Sequence, residues 1–251
     1  MEKCTNAKYR IGATGTIDDS SNVNKLTLEG LFGPVYQVTT TKELMDSKSV
    51  SELKIKCLVL KYPEEVCKLS RSWDYQSEID YIVKSKYRNE FIRNLTISLE
   101  GNSLVLFNLV EKHGKQLYKL IEEKAGNRHV FFVYGGTDVE VREQVREITE
   151  TQNDAIIVAS YGTFSTGVNI RNLHNIVFAS PSKSRVRNLQ SIGRGLRLGD
   201  NKEEATLFDI VDDFRIGKHA NYTLKHFIER VKIYDEEKFS YKFYNIELKN
   251  G

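Results

Sequence analysis

The 251-residue sequence lacks the features that mark membrane and secreted proteins. No apolar run approaches the ~20 residues that a membrane-spanning helix needs, and no secretory signal pattern opens the chain. Three cysteines, Cys4, Cys57 and Cys67, form no C-x-x-C pair and have no histidine at ligand spacing, so we expect free thiols in a reducing cytoplasm and no metal site. The net charge of only +3 lends weak support to a nucleic-acid partner.

Short apolar segments alternate with helical segments along most of the chain. Strands are predicted from Val35 and at 54–62, 104–107, 129–134, 155–159, 176–179, 205–211 and 239–248. Helices are predicted around 42–46 and at 111–125, 139–150 and 214–232. Thr137 and Asp138 are expected to cap the helix 139–150, and Glu140 is expected to complete a capping box. The alternation predicts an α/β fold with a mostly parallel, doubly wound sheet covered on both faces.

Residues 64–98 mix basic residues with aromatic ones and allow two interpretations. A basic surface with interleaved aromatic rings can form a stacking platform for nucleic-acid bases. An amphipathic helix that closes the core explains the same pattern, since Ile79, Ile82, Val83 and Tyr87 fit helical spacing, and we favour it.

A polar stripe at residues 190–197 is the most informative local pattern. In a helix, Gln190, Gly193, Arg194 and Arg197 lie at i, i+3, i+4 and i+7 and share one face. Two guanidinium groups on one face suit a polyphosphate, because they match phosphate geometry and stay charged. A solvated face with two arginines is the alternative. Gly193 and Gly195 argue against a merely solvated face, because each costs roughly 1 kcal/mol in a helix relative to alanine. Such a cost suggests that another group must approach the helix closely.

This Q-x-x-G-R-x-x-R string resembles the sixth conserved motif of superfamily-two helicases, which lies on the arginine-finger helix of their second RecA-like domain. Companion segments resemble the other motifs of that domain in the family's order. Residues 105–110 resemble the fourth motif, and residues 160–170, expected here as a loop of small and hydroxyl residues, resemble the fifth. Residues 131–135 with Arg142 resemble the family's segment that contacts the bound nucleic-acid strand. Residues 9–16 resemble the third motif. The resemblance ends at about residue 216.

The resemblance implies a RecA-like fold and a role for each matching residue. Arg194 and Arg197 would reach the γ-phosphate of ATP, and Gln190 would organise the nucleotide contacts. Asn169 would face the ribose, with Gly167 and Gly193 as the other residues of the nucleotide site. Contacts to the nucleic-acid backbone are expected from Thr163, Arg142, Gly135, Thr14 and Thr16.

The same resemblance implies an ATP-dependent helicase that remodels branched DNA, and RNA–DNA hybrids, in recombination, repair and replication. Residues 1–33 would be the tail of the first RecA-like domain with the linker, 34–232 the second domain, and 233–251 a C-terminal extension. The partners implied are nucleic acid and the first RecA-like domain of the same parent protein, with no membrane.

Two motifs of such a motor are missing from the sequence. The nearest match to G-x-x-x-x-G-K-[ST] is residues 162–167, but Val168 and Asn169 follow in place of lysine and serine or threonine. No D-E-x-[DH] follows an apolar strand, and Asp209, Asp212 and Asp213 are interpreted as a strand-end turn. We therefore expect ATP and Mg²⁺ to be held mainly by a first domain outside this chain, and the chain alone to be inactive. The alternative is a non-catalytic module that binds nucleic acid or protein.

Overall fold

The computed structural model describes residues 7–14, 22–167, 170–180, 182, 184, 192–193, 204–217 and 219–248. Within these ranges seven strands form one sheet in the order β3-β4-β2-β5-β6-β1-β7, and every neighbouring pair is parallel. The strands are β1 (Glu52–Lys61), β2 (Ser103–Phe107), β3 (Val130–Val133), β4 (Ile156–Ser160), β5 (Asn175–Phe178), β6 (Glu204–Asp213) and β7 (Ser240–Glu247). The predicted parallel α/β sheet is confirmed.

Nine helices longer than five residues lie in the described ranges. They are α1 (Asn22–Phe32), α2 (Thr41–Asp46), α3 (Glu64–Ser70), α4 (Tyr75–Lys84), α5 (Lys86–Ser98), α6 (Lys115–Glu122), α7 (Val139–Thr151), α8 (Tyr161–Gly167) and α9 (Tyr222–Glu236). A turn of π-helix, Val110–Gly114, precedes α6. Gly114 permits this turn to approach β2, because a Cβ there would lie only 2.4 Å from the Phe107 ring.

The sheet has an apolar layer on each face, which explains why its strands read as nearly continuous apolar runs. In β1, Ile55 and Val59 pack with residues of α7, α8 and α9 on one face. Leu58 and Leu60 pack on the other face with residues of α3, α4, α5 and α6. Since side chains alternate along a strand, both sets of β1 side chains are buried.

Several local predictions were wrong. Residues 35–39 form no strand, and Val38 is 94% exposed, so nothing in the described structure pairs with this segment. The helix predicted at 214–232 begins only at Tyr222, because the Asn221 carboxamide accepts a hydrogen bond from the Phe214 amide at 3.1 Å and closes the intervening loop. Residues 64–98 form three helices, and the favoured core-closing role is supported by buried Ile82 and Val83.

Candidate functional site

Two of the segments singled out by sequence, those that follow β3 and β4, lie at one edge of the sheet. In a parallel sheet the carboxyl ends of all strands lie at the same edge, where α/β proteins place their binding sites. Gly135 follows β3, Thr163 and Gly167 lie in α8 directly after β4, and Ser180 follows β5. Gly193 is helical and exposed, and among the described residues a Cβ there would meet no atom within 4 Å beyond its own helix backbone and chain neighbours. Gln190, Arg194, Arg197, Asn169 and Thr16 lie outside the described residues.

The segment after β4 differs from the expected loop, because residues 161–167 form the helix α8. Thr163 is only 6% exposed, and its hydroxyl is paired with the Ser160 hydroxyl at 2.8 Å. The Thr163 amide also donates to the Ser160 hydroxyl oxygen, at 3.4 Å. The Thr163 side chain therefore ties the first turn of α8 to the end of β4.

Arg142 is half-buried in the first turns of α7 and holds the preceding loop. Its Nε donates to the Thr137 carbonyl at 2.9 Å, and its Nη2 donates to the Gly135 carbonyl at 3.3 Å. Thr137 accepts from the Tyr134 amide at 3.0 Å. The predicted capping box is wrong, because Asp138 is the N-cap but makes no side-chain cap hydrogen bond, and the neighbouring Thr137 hydroxyl closes the turn towards Tyr134 instead. Arg142 thus brings a guanidinium to this edge and shapes the 135–137 loop.

Thr14 lies in residues 7–14, which form no helix or strand, and it is exposed. This segment approaches α1, since a Cβ on Gly12 would lie 3.3 Å from the Phe32 ring. No described contact joins Thr14 to Thr163 or Arg142.

A buried charged group that sequence reasoning missed lies where β6 ends, beside β5. The Arg88 guanidinium of α5 donates from Nε to Asp212 Oδ1 at 2.7 Å and from Nη2 to Asp212 Oδ2 at 3.0 Å. Its Nη2 also donates to the Ala179 carbonyl at 2.9 Å. The Tyr62 hydroxyl donates to Asp212 at 2.7 Å, and burial together with that carboxylate raises the pKa of Tyr62. Arg88 and Asp212 are almost completely shielded from solvent, and Tyr62 is buried beside them.

A second buried group has the same composition. Arg230 of α9 donates from Nε and Nη2 to the two oxygens of Asp209, both at 2.8 Å. Its Nη1 donates to the Ser182 carbonyl at 2.9 Å. The Tyr234 hydroxyl donates to Asp209 at 2.8 Å, and burial and the carboxylate raise its pKa. Asp209 and Asp212 therefore lie inside β6 and hold buried arginines, so their interpretation as a strand-end turn was wrong.

One signal in the sequence could have revealed both groups. Aspartate is almost never fully buried unless it is paired, so two aspartates inside the apolar run of β6 require buried cations. Nothing local to Arg88 or Arg230 identifies them as those cations.

His113 connects the π-turn to the exit of β5. Its Nδ1 is 3.1 Å from the Ser180 hydroxyl, and its Nε2 is 3.2 Å from Asn89 Oδ1. Burial, together with the positive charge of Arg88, lowers the pKa of His113 to about 3, so the imidazole is neutral at physiological pH. The Ser180 hydroxyl also accepts from the Asn108 amide at 3.2 Å. Ser180, two residues after the end of β5, is therefore held by both the π-turn and the segment that follows β2.

Further positive charge lies where β6 ends. Arg215 donates to Asp213 from Nε and Nη2, and Lys61 pairs with the same carboxylate. Burial alone would raise the pKa of Asp213, but the bonds from Arg215 and Lys61 outweigh burial and lower it to about 2. Within the described part of the chain, no group of three His, Cys, Asp or Glu side chains could hold a metal ion.

Comparison with known proteins identifies a matching family model and a similar helicase. Residues 87–199 match the model described as the helicase conserved C-terminal domain. The chain is 36% identical to the ATP-dependent DNA helicase uvsW of Enterobacteria phage T4, over 97% of this chain and 50% of the phage protein. It therefore spans about half the length of that relative.

Solved structures agree with the family model. The crystal structure of T4 UvsW matches with a TM-score of 0.69 and 34% identity, over 91% of this chain and 46% of that one. The ATP-dependent Type ISP restriction-modification enzyme LlaBIII bound to DNA shares the fold, with a TM-score of 0.60 at 16% identity over 96% of this chain and 18% of that one. The seven-stranded parallel sheet is the fold of RecA-like helicase C-terminal domains, as predicted. No helix in the described ranges is long and apolar enough to cross a membrane.

Proposed function

Because residues 87–199 belong to the helicase conserved C-terminal domain family, we propose that this chain is the C-terminal half of an ATP-dependent DNA helicase. The observation that carries the proposal is the 36% identity with the phage helicase along 97% of the chain, which includes the segments outside residues 87–199. We assign residues 1–33 to the tail of the first RecA-like domain and the linker, 34–232 to the second domain and 233–251 to an extension.

In this proposal the ATP site is shared between two domains. The first domain holds ATP and Mg²⁺ through motifs that the present sequence lacks. Arg194 and Arg197 stabilise charge on the transferring phosphoryl group, with Gln190 ordering the nucleotide contacts. Asn169 and Gly167 contact the nucleotide from the segment after β4. The open space at the exposed Gly193 backbone supports a close approach there by the nucleotide or the first domain.

The strand track runs along the carboxyl edge of the sheet. Arg142 and Gly135 contact phosphates after β3, and Thr14 and Thr16 contribute from the segment assigned to the first domain. Since the Thr163 hydroxyl is paired with Ser160, its contribution is to hold α8 in place, and the contact at this point comes from the backbone. Phosphate contacts fix the position of a strand without reading its sequence.

The proposed substrate is branched DNA, and RNA–DNA hybrids, remodelled during recombination, repair and replication. ATP binding closes the cleft between the two domains and hydrolysis reopens it, so that each cycle moves the protein's contacts along the nucleic-acid strand. The DNA preference rests on the relative, which is described as a DNA helicase.

The decisive experiment compares the purified 251-residue chain with a protein in which the same chain follows a first RecA-like domain that carries the P-loop. We expect the longer protein to hydrolyse ATP with DNA stimulation and to unwind a labelled DNA fork, and the chain alone to hydrolyse ATP only at the rate of a protein-free blank. Mg²⁺-dependent, DNA-stimulated turnover by the chain alone would contradict the half-motor assignment. Absence of turnover in the longer protein would favour a non-catalytic binding module.

A further inference from the structure

The two buried arginine groups are equivalent in composition and lie on opposite faces of the sheet. Each contains an aspartate of β6, an arginine from a covering helix, and a tyrosine hydroxyl that donates to the aspartate. Asp209 and Asp212 are three positions apart on one strand, so their side chains point to opposite faces. Arg88 comes from α5 on one face and Arg230 from α9 on the other.

Both arginines also donate hydrogen bonds to backbone carbonyls of the same short segment. Arg88 donates to the Ala179 carbonyl and Arg230 to the Ser182 carbonyl, each at 2.9 Å. Residues 179–182 follow β5 directly and lead to residues 190–197, the arginine stripe. The guanidinium fork suits this double task, because one planar group can bond a carboxylate at two points and still donate to a third acceptor.

Stability alone is a weak reason for two such groups. Burying ion pairs carries a desolvation penalty, and well-packed apolar replacements of similar volume are often neutral or stabilising. What an apolar replacement cannot do is hold a backbone carbonyl at a defined position. The groups therefore hold the backbone at Ala179 and Ser182 more than they strengthen the fold.

We propose that Arg230, with Arg88 on the opposite face, is a positioning residue: together they hold the backbone at Ala179 and Ser182, from which the chain continues to the arginine stripe, and this hold is needed for catalysis. The catalytic part of this inference rests on the proposed function of Arg194 and Arg197. Arg230 lies outside the matched residues 87–199, so the inference makes α9 a working part of the motor rather than an appendage.

The test compares Arg230→Lys with Tyr234→Phe. Lysine keeps the charge opposite Asp209 but lacks the planar fork that reaches both Asp209 and the Ser182 carbonyl. Tyr234→Phe removes one bond to the same carboxylate and leaves the bond to Ser182 intact. The second variant therefore controls for general weakening of the buried group.

The first readout needs no activity. Trypsin cleavage after Lys183, followed by mass spectrometry in the folded 251-residue chain, reports local opening of the segment. We expect Arg230→Lys to raise this cleavage rate on the order of tenfold, the factor for losing one hydrogen bond of a charged group, and Tyr234→Phe to leave it nearly unchanged.

The second readout is turnover in the longer protein that contains the first domain. We expect Arg230→Lys to lower kcat on the order of tenfold or more, with KM and DNA affinity unchanged, because small misplacements of catalytic groups are costly. Equal effects of Arg230→Lys and Tyr234→Phe on both readouts, at matched melting temperatures, would overturn the inference. If Arg230→Lys does not fold, the neutral pair Asp209→Asn with Arg230→Gln carries the same test.

Arg197→Ala, measured beside these variants, separates the two proposals. Full turnover in Arg197→Ala overturns the catalytic role of the stripe and, with it, the catalytic part of this inference, whereas the cleavage assay still decides whether Arg230 holds residues 179–182. Loss of turnover in Arg197→Ala together with unchanged turnover in Arg230→Lys overturns the positioning role alone.

Discussion

Glu78 of α4 reaches across to the first turn of α9, and its replacement tests how that helix is held. The carboxylate is 1% exposed and accepts hydrogen bonds from the amides of Tyr222 and Thr223 at 2.9 and 2.7 Å. It also accepts from the Thr223 hydroxyl at 2.6 Å and from the Asn221 carboxamide at 2.8 Å. A residue more than a hundred positions away therefore satisfies the free amides at the start of the helix.

The cost of Glu78→Ala follows from these bonds. The Asn221 carboxamide keeps the Asp212 carbonyl and the Thr223 hydroxyl oxygen as acceptors, and the Thr223 hydroxyl is free to rotate, so the main loss falls on the two backbone amides. Each amide left without an acceptor costs about 1–3 kcal/mol, and the lost charge near the helix N-terminus adds about 0.5–1 kcal/mol. We expect a total of roughly 2.5–7 kcal/mol, or a fall of about 5–28 °C in Tm for a chain of this size.

Urea unfolding of the 251-residue chain, followed by circular dichroism, measures this difference. Glu78→Gln keeps one acceptor oxygen and should lose about half as much free energy of unfolding. Glu64→Ala provides the matched control, because Glu64 is an exposed helix carboxylate paired with Lys68, and it should leave the free energy nearly unchanged. A loss below about 1 kcal/mol in Glu78→Ala would refute the reasoning, since the orphaned amides would then have found water.

Three further predictions address the site. Arg197→Ala in the longer protein should lower ATP turnover on the order of 10³–10⁵-fold while Tm and DNA affinity stay nearly unchanged, and Arg197→Lys should restore little. Arg142→Ala should weaken DNA binding for all sequences and reduce the slope of log affinity against log salt concentration by about 1. Arg146→Ala on the same helix should leave that slope unchanged. Equal slopes for the two variants would make Arg142 a structural residue. For His113, the imidazole of the unfolded chain takes up a proton below about pH 6.5, whereas the folded imidazole does so only near pH 3. As the pH is lowered from about 6.5 to 3, the free energy of unfolding should therefore decrease, by up to about 1.4 kcal/mol per pH unit. His113→Gln should flatten that slope, and an unchanged slope would contradict the burial of a neutral imidazole.

The strands of the sheet were predictable because their signal is local. Leu104–Phe107 is an apolar run between turn residues, and it is buried on both faces as such a run requires. The segment from Val35 carries a similar alternation, yet it forms no strand because alternation does not supply a neighbouring strand to pair with. The start of α9 at Tyr222 could not be predicted from local sequence either, because it depends on contacts of Asn221 with Phe214 and Glu78.

The candidate site was predictable only where motif spacing reflects it. The spacing located the segments after β3 and β4, whereas the arginine stripe and the roles of Gln190, Arg194 and Arg197 stay predictions. The spacing did not show that Thr163 is turned inward or that Arg142 holds its own loop, because both depend on atomic contacts. Nor could it identify Arg88 and Arg230, which look like ordinary helix-surface charges until their distant aspartates are known.

The position of β1 between the last two strands of the chain, β6 and β7, has a consequence for how the protein is made. β1 pairs with β6 on one side and β7 on the other, and Lys61 and its partner Asp213 are 152 positions apart in the chain. At about 5–20 residues per second, a ribosome adds the intervening chain in roughly 8–30 s. During that interval the apolar residues 53–60 have neither neighbour strand available. The β6-β1-β7 end of the sheet therefore assembles after synthesis of the C-terminal segment, and the nascent chain presents the largely apolar residues 53–60 as a defined target for chaperones that bind extended apolar segments.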